Sequence, residues 1–248
     1  GYPWRCCYQG DFDICGYRRP QSYFREAIWK ENCEPRIFTT HPEHYGEDFS
    51  GTGWHWYDVH ESWTFEDKYI GKPVKVEVYT DADEVRFILN GKEVGASNPS
   101  DGIAYMDIPY EKGELVAVSY KNGKEIKKSS LHTVGAKSKL KIVPEKTELA
   151  ADNRDLCYFD LYICDENGDR VPYAKDELVC ICSGGELMGI FSEDPANEDC
   201  YTTEKCHAFD GKAVAIVRAS VPGNVTLTIG AKALKGDSAT VIARPCED

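Results

Sequence analysis

The side chains best suited to chemistry crowd into one polar stretch between positions 41 and 60. Its candidate ligands are the four histidines and three of the acidic residues: His41, His44, His55, His60, Glu43, Glu47 and Asp48. Imidazole nitrogens and carboxylates are ordinary zinc ligands, but a metal site needs them held on rigid elements. The surrounding sequence HPEHYGEDFSGTG is typical of a loop, so we expect a solvated loop here rather than a zinc site.

A calcium-loop pattern is the second candidate for a metal site. Asp165, Asn167 and Asp169 occupy positions 1, 3 and 5 of that pattern, and Asp176 occupies position 12. Position 6 is Arg170, where a calcium loop needs glycine for its sharp turn. The sequence DENGD therefore favours the tip of a hairpin between two strands, and we expect no metal or cofactor.

Three tryptophans, Trp54, Trp56 and Trp63, form an aromatic group with the nearby Tyr57. Aromatic faces can stack on sugar rings, so a carbohydrate-binding platform is chemically sensible here. Large aromatic residues at the start of a β-sandwich more often pack against a neighbouring domain. We therefore expect packing, with sugar binding as the alternative.

The chain contains eleven cysteines, which is an odd number, and none of them forms a CxxC pair of the kind found in zinc sites. Cys180 and Cys182 alternate with apolar residues, so both face one side of a strand as small buried side chains. We expect mostly free structural thiols, with a disulfide between Cys200 and Cys206 as the alternative. Free thiols favour a reducing compartment such as the bacterial cytoplasm.

The charge balance limits the partners that the protein can have. With 42 acidic and 29 basic residues, the formal net charge is -13. Such a surface repels nucleic acid and anionic membranes, and no apolar run is long enough to span a bilayer. No Ser-His-Asp, P-loop or Rossmann pattern stands out either.

Hydrophobic periodicity divides the chain into three segments, residues 1–50, 51–133 and 134–248. The first contains one amphipathic helix candidate at 21–30, which alone cannot make a domain. The second alternates like a half-buried sheet and has Asn-Gly turns at 90–91 and 122–123. Strands are predicted over 74–80, 85–89, 114–120, 140–143, 158–164, 178–182, 213–218 and 225–229. Short strands without helices between them predict a mainly β fold with two β-sandwiches.

Three parts of the chain resemble the family 2 glycoside hydrolases. Residues 10–29, GDFDICGYRRPQSYFREAIW, resemble the last strand and helix of that family's catalytic (β/α)8 barrel. Residues 76–95, VEVYTDADEVRFILNGKEVG, follow a Trp-x-Trp and are similar to its accessory immunoglobulin-like domain. Stretches over 149–174, 184–199 and 209–220 resemble its terminal sandwich domain. The resemblance implies a short α/β remnant of the barrel, with an insertion before residue 50, followed by two immunoglobulin-like β-sandwiches.

The resemblance also implies a parent enzyme that hydrolyses β-glycosides with retention, one glutamate acting as nucleophile and another as acid/base. Both glutamates lie on earlier barrel strands in the family, so neither can be assigned to a residue here. The pair Asn197-Glu198 is similar to a catalytic Asn-Glu step but has no apolar strand before it. We therefore expect the chain alone to be catalytically inert.

Substrate preference is implied at the residues just before Gly10. β-Glucuronidases of the family have an Asn-x-Lys there, which binds the substrate carboxylate. Here the positions hold Cys7 and Gln9, which offer no cation, so the resemblance favours a neutral sugar such as galactose. Cys7, Gln9 and Asp13 would then border the sugar site of the intact protein.

The expected partners are therefore the catalytic barrel of the same polypeptide and a β-galactoside or other neutral glycan, with a homo-oligomer as an open alternative. Residues 1–50 should be poorly ordered or should borrow packing from a sandwich or a neighbouring chain. Two rival functions are a stand-alone carbohydrate-binding module and an adhesin-like structural protein. The adhesin would leave residues 10–29 unexplained.

Overall fold

The computed structural model describes residues 2–3, 9–47 and 56–246. They belong to two compact units, one of residues 8–133 and one of residues 134–248 together with the first seven. Strands dominate both units, which confirms the predicted mainly β fold. The helices in this described part of the chain are too short or too polar to cross a bilayer.

The first unit is a β-sandwich with a helix and long loops outside it. Its elements are α1 (Pro20–Trp29), β1 (Arg36–Thr39), β2 (Pro73–Tyr79), β3 (Glu84–Leu89), β4 (Lys92–Ser97), β5 (Ile103–Pro109), β6 (Glu114–Lys121) and β7 (Lys124–His132). Short 3-10 turns cover Pro42–His44 and Asp67–Tyr69. The two antiparallel sheets have the strand orders β1-β2-β5 and β4-β3-β6-β7. β1, which lies in the predicted segment 1–50, thus pairs with β2 of the predicted segment 51–133 within one unit.

Both predicted Asn-Gly turns close hairpins, between β3 and β4 and between β6 and β7. A two-residue turn of this kind needs positive φ at both positions, which asparagine and glycine tolerate best. The observed φ values are 51° and 79° at Asn90 and Gly91, and 52° and 73° at Asn122 and Gly123. The prediction from these dipeptides is confirmed.

Trp63 lies at the centre of the first sandwich core and is 0% exposed. Its ring meets those of Phe65 and Tyr110 edge-on, with centroids 6.1 and 5.3 Å away. Its indole N–H donates to the Glu111 carbonyl at 2.9 Å, so the one polar atom of the ring is satisfied. Apolar side chains from both sheets complete this core.

The second unit is a sandwich of nine strands: β8 (Lys139–Pro144), β9 (Glu148–Ala150), β10 (Leu156–Cys164), β11 (Glu177–Ser183), β12 (Glu186–Phe191), β13 (Lys205–His207), β14 (Lys212–Arg218), β15 (Gly223–Ala231) and β16 (Leu234–Arg244). They follow the order β12-β14-β10-β8-β16-β15-β11-β13, with β9 also on β16. The strand order passes from one half of the sandwich to the other between β8 and β16, where a single parallel pair joins Lys139 and Lys235. The core contains side chains from both sides of this turn, so the two halves face each other.

The sequence DENGD forms a tight turn after β10, closed by an isolated bridge between Cys164 and Arg170. The next strand, β11, pairs with β13 and β15 and not with β10, so the turn is not the tip of a hairpin between two strands that we predicted. The Asp165 carboxylate accepts the backbone amides of Asn167, Gly168 and Asp169 at 2.9, 3.0 and 3.0 Å. It also accepts the amide of Gly135 at 2.9 Å. The hydrogen bonds outweigh the opposing effect of burial and lower the pKa of Asp165 below its usual value. The carboxylate therefore organises a turn.

Replacing Trp63 by alanine tests its role in the core of the first unit. We expect Trp63→Ala to lower the free energy of unfolding of this unit by about 3–5 kcal/mol, because it leaves a large cavity. Trp29→Ala is the matched control, since Trp29 is 77% exposed and its loss should change stability by only about 0.5 kcal/mol. Urea unfolding followed by circular dichroism measures both; equal losses would contradict the assignment.

Candidate functional site

The three-stranded sheet of the first unit has a second face, which points away from the sandwich core. We call it the outer face. Val74, Val76 and Val78 of β2 enter the core, so the alternating Lys75, Glu77 and Tyr79 project onto the outer face. The register places Phe38 of β1 and Tyr105 of β5 beside Glu77 on the same face.

An aromatic cluster covers one part of the outer face. Phe38 stacks on Tyr79 with a centroid distance of 4.8 Å, and Phe24 of α1 lies 5.9 Å from the same tyrosine. Phe24 also contacts Trp56 at 5.0 Å, and Trp56 stacks on Tyr57 at 4.8 Å. Helix α1 is thereby held on the sheet through aromatic rings from several parts of the chain.

Glu77 is a fully buried carboxylate at the centre of the outer face. The Tyr79 hydroxyl donates to its Oε2 at 3.2 Å, and the Lys75 ammonium lies 3.2 Å from its Oε1. Trp56 extends this chain of contacts, since its indole N–H donates to the Tyr79 hydroxyl at 3.0 Å. Burial raises the pKa of Glu77 against the opposing attraction of Lys75.

The two tyrosines beside Glu77, Tyr57 and Tyr79, have pKa values shifted by the same environment. Burial, and then the nearby Glu77 carboxylate, raise the pKa values of Tyr57 and Tyr79. Both phenols therefore stay protonated at neutral pH and keep their hydrogens for donation. The two phenols and the Glu77 carboxylate therefore form a hydrogen-bond network whose protons stay in place at neutral pH.

Asp81 anchors the chain that follows α1. Its carboxylate accepts the backbone amides of Asn32 and Cys33 at 2.8 and 3.1 Å, and the Lys121 ammonium lies 2.8 Å away. Burial alone would raise the pKa of Asp81, but the hydrogen bonds from Lys121, Asn32 and Cys33 lower it to about 2. The carboxylate is therefore ionised across the physiological range.

The outer face remains open beside this cluster, where a groove of about 800 Å³ begins. Its lining includes Tyr45, Asp58, Lys75, Tyr105 and Asp107. The Tyr45 hydroxyl donates to Asp107 at 2.9 Å, and Asp58 contacts a His60 ring nitrogen at 2.8 Å. The groove is thus lined by aromatic rings and by charged groups that already have partners.

The residues predicted to border a sugar site are only partly described. Cys7 lies outside the described residues, and Gln9 is exposed, with its carbonyl accepting a guanidinium hydrogen of Arg19 at 2.7 Å. Asp13 is buried, and its carboxylate accepts the amides of Cys15 and Tyr17 at 2.8 and 2.9 Å. Residues 9–19 form a turn rather than the strand that the resemblance implied, and the predicted helix follows as α1.

The two tryptophans of this group that the structure describes, Trp56 and Trp63, have different environments and do not form one platform. Trp54 lies outside the described residues, and Trp56 is half-buried in the aromatic cluster. Trp63 is inside the sandwich core, so it has no exposed ring face on which a sugar could stack. The sugar-stacking alternative is therefore wrong for Trp63.

The candidate metal ligands between positions 41 and 60 are bound to other groups or lie outside the described residues. Ring nitrogens of His44 and His60 contact Glu47 and Asp58 at 2.9 and 2.8 Å, while His55 and Asp48 are not described. Within residues 9–47 and 56–246, no three His, Cys, Asp or Glu side chains are grouped to hold a metal ion.

Cys33, Cys157, Cys164, Cys180, Cys182, Cys206 and Cys246 are free thiols. The alternative disulfide between Cys200 and Cys206 is not formed, since Cys200 is exposed and Cys206 is buried on β13. Cys157, Cys180 and Cys206 belong to the second core. Burial raises the pKa values of Cys157 and Cys180 to about 11 and about 12, so both stay protonated. These cysteines act as core side chains, as predicted for Cys180.

Known proteins match both units. Residues 140–240 match the family model described as glycoside hydrolase family 2 C-terminal domain 5, and residues 71–127 match a domain of unknown function. A family 2 glycosyl hydrolase structure from Bacteroides cellulosilyticus superposes with a TM-score of 0.87 at 28% identity. That match covers 95% of this chain and 31% of that one.

Two curated relatives extend along almost the whole chain. A β-galactosidase of Bacteroides ovatus is 24% identical over 242 residues, which are 95% of this chain and 25% of that protein. A Formosa agariphila protein, provisionally named a β-glucuronidase, is 26% identical over 245 residues, 96% and 22% of the two chains. The chain thus spans about a quarter of these relatives. Residues 140–240 thus match a C-terminal domain of the family 2 glycoside hydrolases, and the relatives and the shared fold support a C-terminal fragment of such a protein.

Proposed function

We propose that this chain is the non-catalytic C-terminal part of a retaining family 2 β-glycosidase that hydrolyses terminal β-galactosides. Its role is to hold and orient the end of the catalytic barrel. The observation that carries the proposal is the anchoring of residues 20–33 on the outer face of the first sandwich. This segment contains α1, which belongs to the stretch 10–29 that resembles the barrel's end. The aromatic cluster and Asp81 provide this anchoring.

Helix α1 needs this support because it is too short to be stable alone. It has ten residues, and isolated helices shorter than about 12 residues are marginal in water. Its first residue is proline, which suits a helix start, but no side chain caps its N-terminus. Tertiary contacts of Phe24 and Ala27 therefore supply most of its stability.

Residues 10–29, which resemble the end of the barrel, expose apolar side chains that a larger barrel could cover. Phe12, Ile14, Ile28 and Trp29 are between 46% and 77% exposed. Large exposed apolar groups in one segment are typical of a surface that contacts another protein part. They support a catalytic domain of the same polypeptide as the partner of this segment.

The preference for β-galactosides has two supports. The Bacteroides ovatus relative is named a β-galactosidase, and the exposed Gln9 offers no charge to a uronic acid. The Formosa agariphila relative makes β-glucuronides the alternative substrate class. A stand-alone carbohydrate-binding module based on the tryptophans is disfavoured, because Trp63 is buried and Trp56 is engaged in the aromatic cluster.

The charge state of Glu77 makes the stability of the outer face sensitive to pH. Because its pKa is raised in the folded chain, Glu77 binds its proton more tightly when folded than when unfolded. The resulting stabilisation is fully present below the unfolded pKa and is lost as the pH rises through the folded pKa. The ionised carboxylate thus costs stability at neutral pH.

The first test is activity. The purified 248-residue chain should release no nitrophenol from nitrophenyl β-galactoside, because we assign the catalytic glutamates to the barrel. A longer protein containing this chain should hydrolyse the β-galactoside in preference to the β-glucuronide. Turnover by the short chain that disappears when one of its own carboxylates is replaced would overturn the non-catalytic role. A preference for the glucuronide would overturn only the proposed substrate class and not the non-catalytic role.

The anchoring of residues 20–33 can be tested through Asp81. In Asp81→Ala, the amides of Asn32 and Cys33 lose their acceptor, and we expect amide exchange in 20–33 to accelerate about tenfold or more. Asp83→Ala is the matched control, since that carboxylate accepts the amide of Asn122 at 2.8 Å in a hairpin turn. Hydrogen exchange with mass spectrometry resolves the segment, and equal protection in both variants would contradict the anchor.

The buried carboxylate gives a pH-dependent prediction. Glu77→Gln carries no charge, so its unfolding free energy relative to the natural chain should rise as the pH increases above about 4, the usual pKa of a glutamate. Glu125→Gln, at an exposed position of β7, should show no such rise. Urea unfolding at several pH values checks both, and parallel pH profiles for Glu77→Gln and the natural chain would show that Glu77 is not desolvated.

A further inference from the structure

Asparagine followed by glycine occurs three times in the chain, at Asn90-Gly91, Asn122-Gly123 and Asn167-Gly168. In such a step the glycine amide nitrogen can attack the side-chain carbonyl carbon of the asparagine, because glycine has no Cβ to shield its nitrogen. The three steps therefore have the same potential chemistry, and their surroundings decide which of them reacts.

The carboxamide of Asn90 is held away from this reaction. Its Nδ2 donates to the Lys112 carbonyl at 3.0 Å, and its Oδ1 accepts the Glu114 amide at 2.9 Å. The carboxamide also packs so closely over Gly113 that no Cβ would fit there. Asn90 must therefore break both hydrogen bonds before its Cγ can turn toward the Gly91 nitrogen.

In the Asn167-Gly168 step it is the attacking nitrogen that is restrained. The Gly168 amide donates to the Asp165 carbonyl at 3.1 Å and to the Asp165 carboxylate at 3.0 Å. The Asn167 amide donates to the same carboxylate at 2.9 Å. Because the Gly168 nitrogen must lose its hydrogen and turn toward Cγ to attack, both of its hydrogen bonds oppose the reaction.

Asn122 has neither restraint. Its carboxamide makes no hydrogen bond within the part of the chain that the structure describes, and neither does the Gly123 amide. Both residues are exposed, and no atom would approach a Cβ at Gly123 within 4 Å. The backbone amide of Asn122 donates to Asp83 at 2.8 Å, but this bond precedes the Cα and leaves the carboxamide free to turn. Cγ can thus reach the Gly123 nitrogen without loss of a side-chain contact.

We propose that Asn122 is a site of spontaneous deamidation in the folded chain, with water as the second reactant. The Gly123 nitrogen gives up its proton to solvent and forms a bond to Asn122 Cγ. The bond from Cγ to the side-chain nitrogen breaks, and this nitrogen leaves as ammonia after taking a proton from solvent. Water then opens the succinimide ring at either carbonyl, which gives aspartate or isoaspartate. One amide is exchanged for one carboxylate, and nothing is oxidised or reduced.

The products change both the charge and the backbone length of the turn between β6 and β7. Either product adds one negative charge to a chain whose formal net charge is already -13, next to the Asp83 carboxylate that binds the Asn122 amide. Isoaspartate also inserts one carbon into the backbone, whereas a two-residue turn matches its strands only with ordinary peptide geometry. Deamidation should therefore loosen this hairpin.

Incubation of the folded 248-residue chain at mildly alkaline pH tests the proposal. Peptide mapping by mass spectrometry in isotopically labelled water follows each step separately, because the heavy oxygen enters only those carboxylates that form during the incubation. Asn122 should deamidate about tenfold or more faster than Asn90 and Asn167, since each of the other two steps must first break two hydrogen bonds. Equal rates at the three steps, or a faster reaction at Asn90 or Asn167, would overturn the proposal.

Two controls separate the effect of the fold from that of the sequence. In urea all three steps should react at similar rates, because the unfolded chain has none of these hydrogen bonds. A preference for Asn122 that survives in urea would assign the selectivity to local sequence and would overturn the proposal.

The second control is Asp165→Ala, which removes the carboxylate that binds the Gly168 amide. The reaction at Asn167 should accelerate severalfold in this variant, while that at Asn122 stays unchanged. Circular dichroism checks that the variant is folded. An unchanged rate at Asn167 in the folded variant would show that these hydrogen bonds do not control the reaction, contrary to the proposal.

Discussion

Strand β2 is buried on both faces, and the organisation of the first unit depends on how its two sets of side chains are covered. Val74, Val76 and Val78 lie in the sandwich core, while Glu77 and Tyr79 lie under aromatic rings from α1, β1 and the segment around Trp56. A strand covered in this way cannot change register, because a shift by one residue would exchange the valines for a carboxylate. The same burial fixes where α1 sits.

This double coverage links fold to function within the family. A sheet that is packed on its inner face can serve as a rigid base for other elements on its outer face. The aromatic cluster supplies apolar contact area, and Asp81 fixes the backbone after α1 through two amides. Glu77 costs stability when ionised, yet its contacts with Tyr79 and Lys75 fix the arrangement of this face. The ionised Glu77 thus lowers the stability of this sheet, while its contacts give the outer face one defined geometry.

Local patterns in the sequence were enough to predict the two Asn-Gly hairpins, α1 and eight of the sixteen described strands, namely β2, β3, β6, β8, β10, β11, β14 and β15. They failed where a residue's environment comes from distant parts of the chain. The alternation in VKVEVYT predicts a half-buried strand with Glu77 in solvent, but Phe24 and Trp56 cover that face. β16 was missed because Leu234–Arg244 is mostly small and polar, and it forms a strand by pairing with β15. Nothing local separates the buried Trp63 from the half-buried Trp56.

Burial of the thiols in the second sandwich controls how fast this unit is damaged by oxidants and alkylating agents. A thiol reacts with oxidants and alkylating agents only as its thiolate, and burial keeps Cys157 and Cys180 protonated and out of reach. Each transient opening of the sheet removes both protections at once. Chemical damage to these sulfur atoms therefore accumulates at a rate set by the opening of the core, and a damaged sulfur can no longer return to its apolar place.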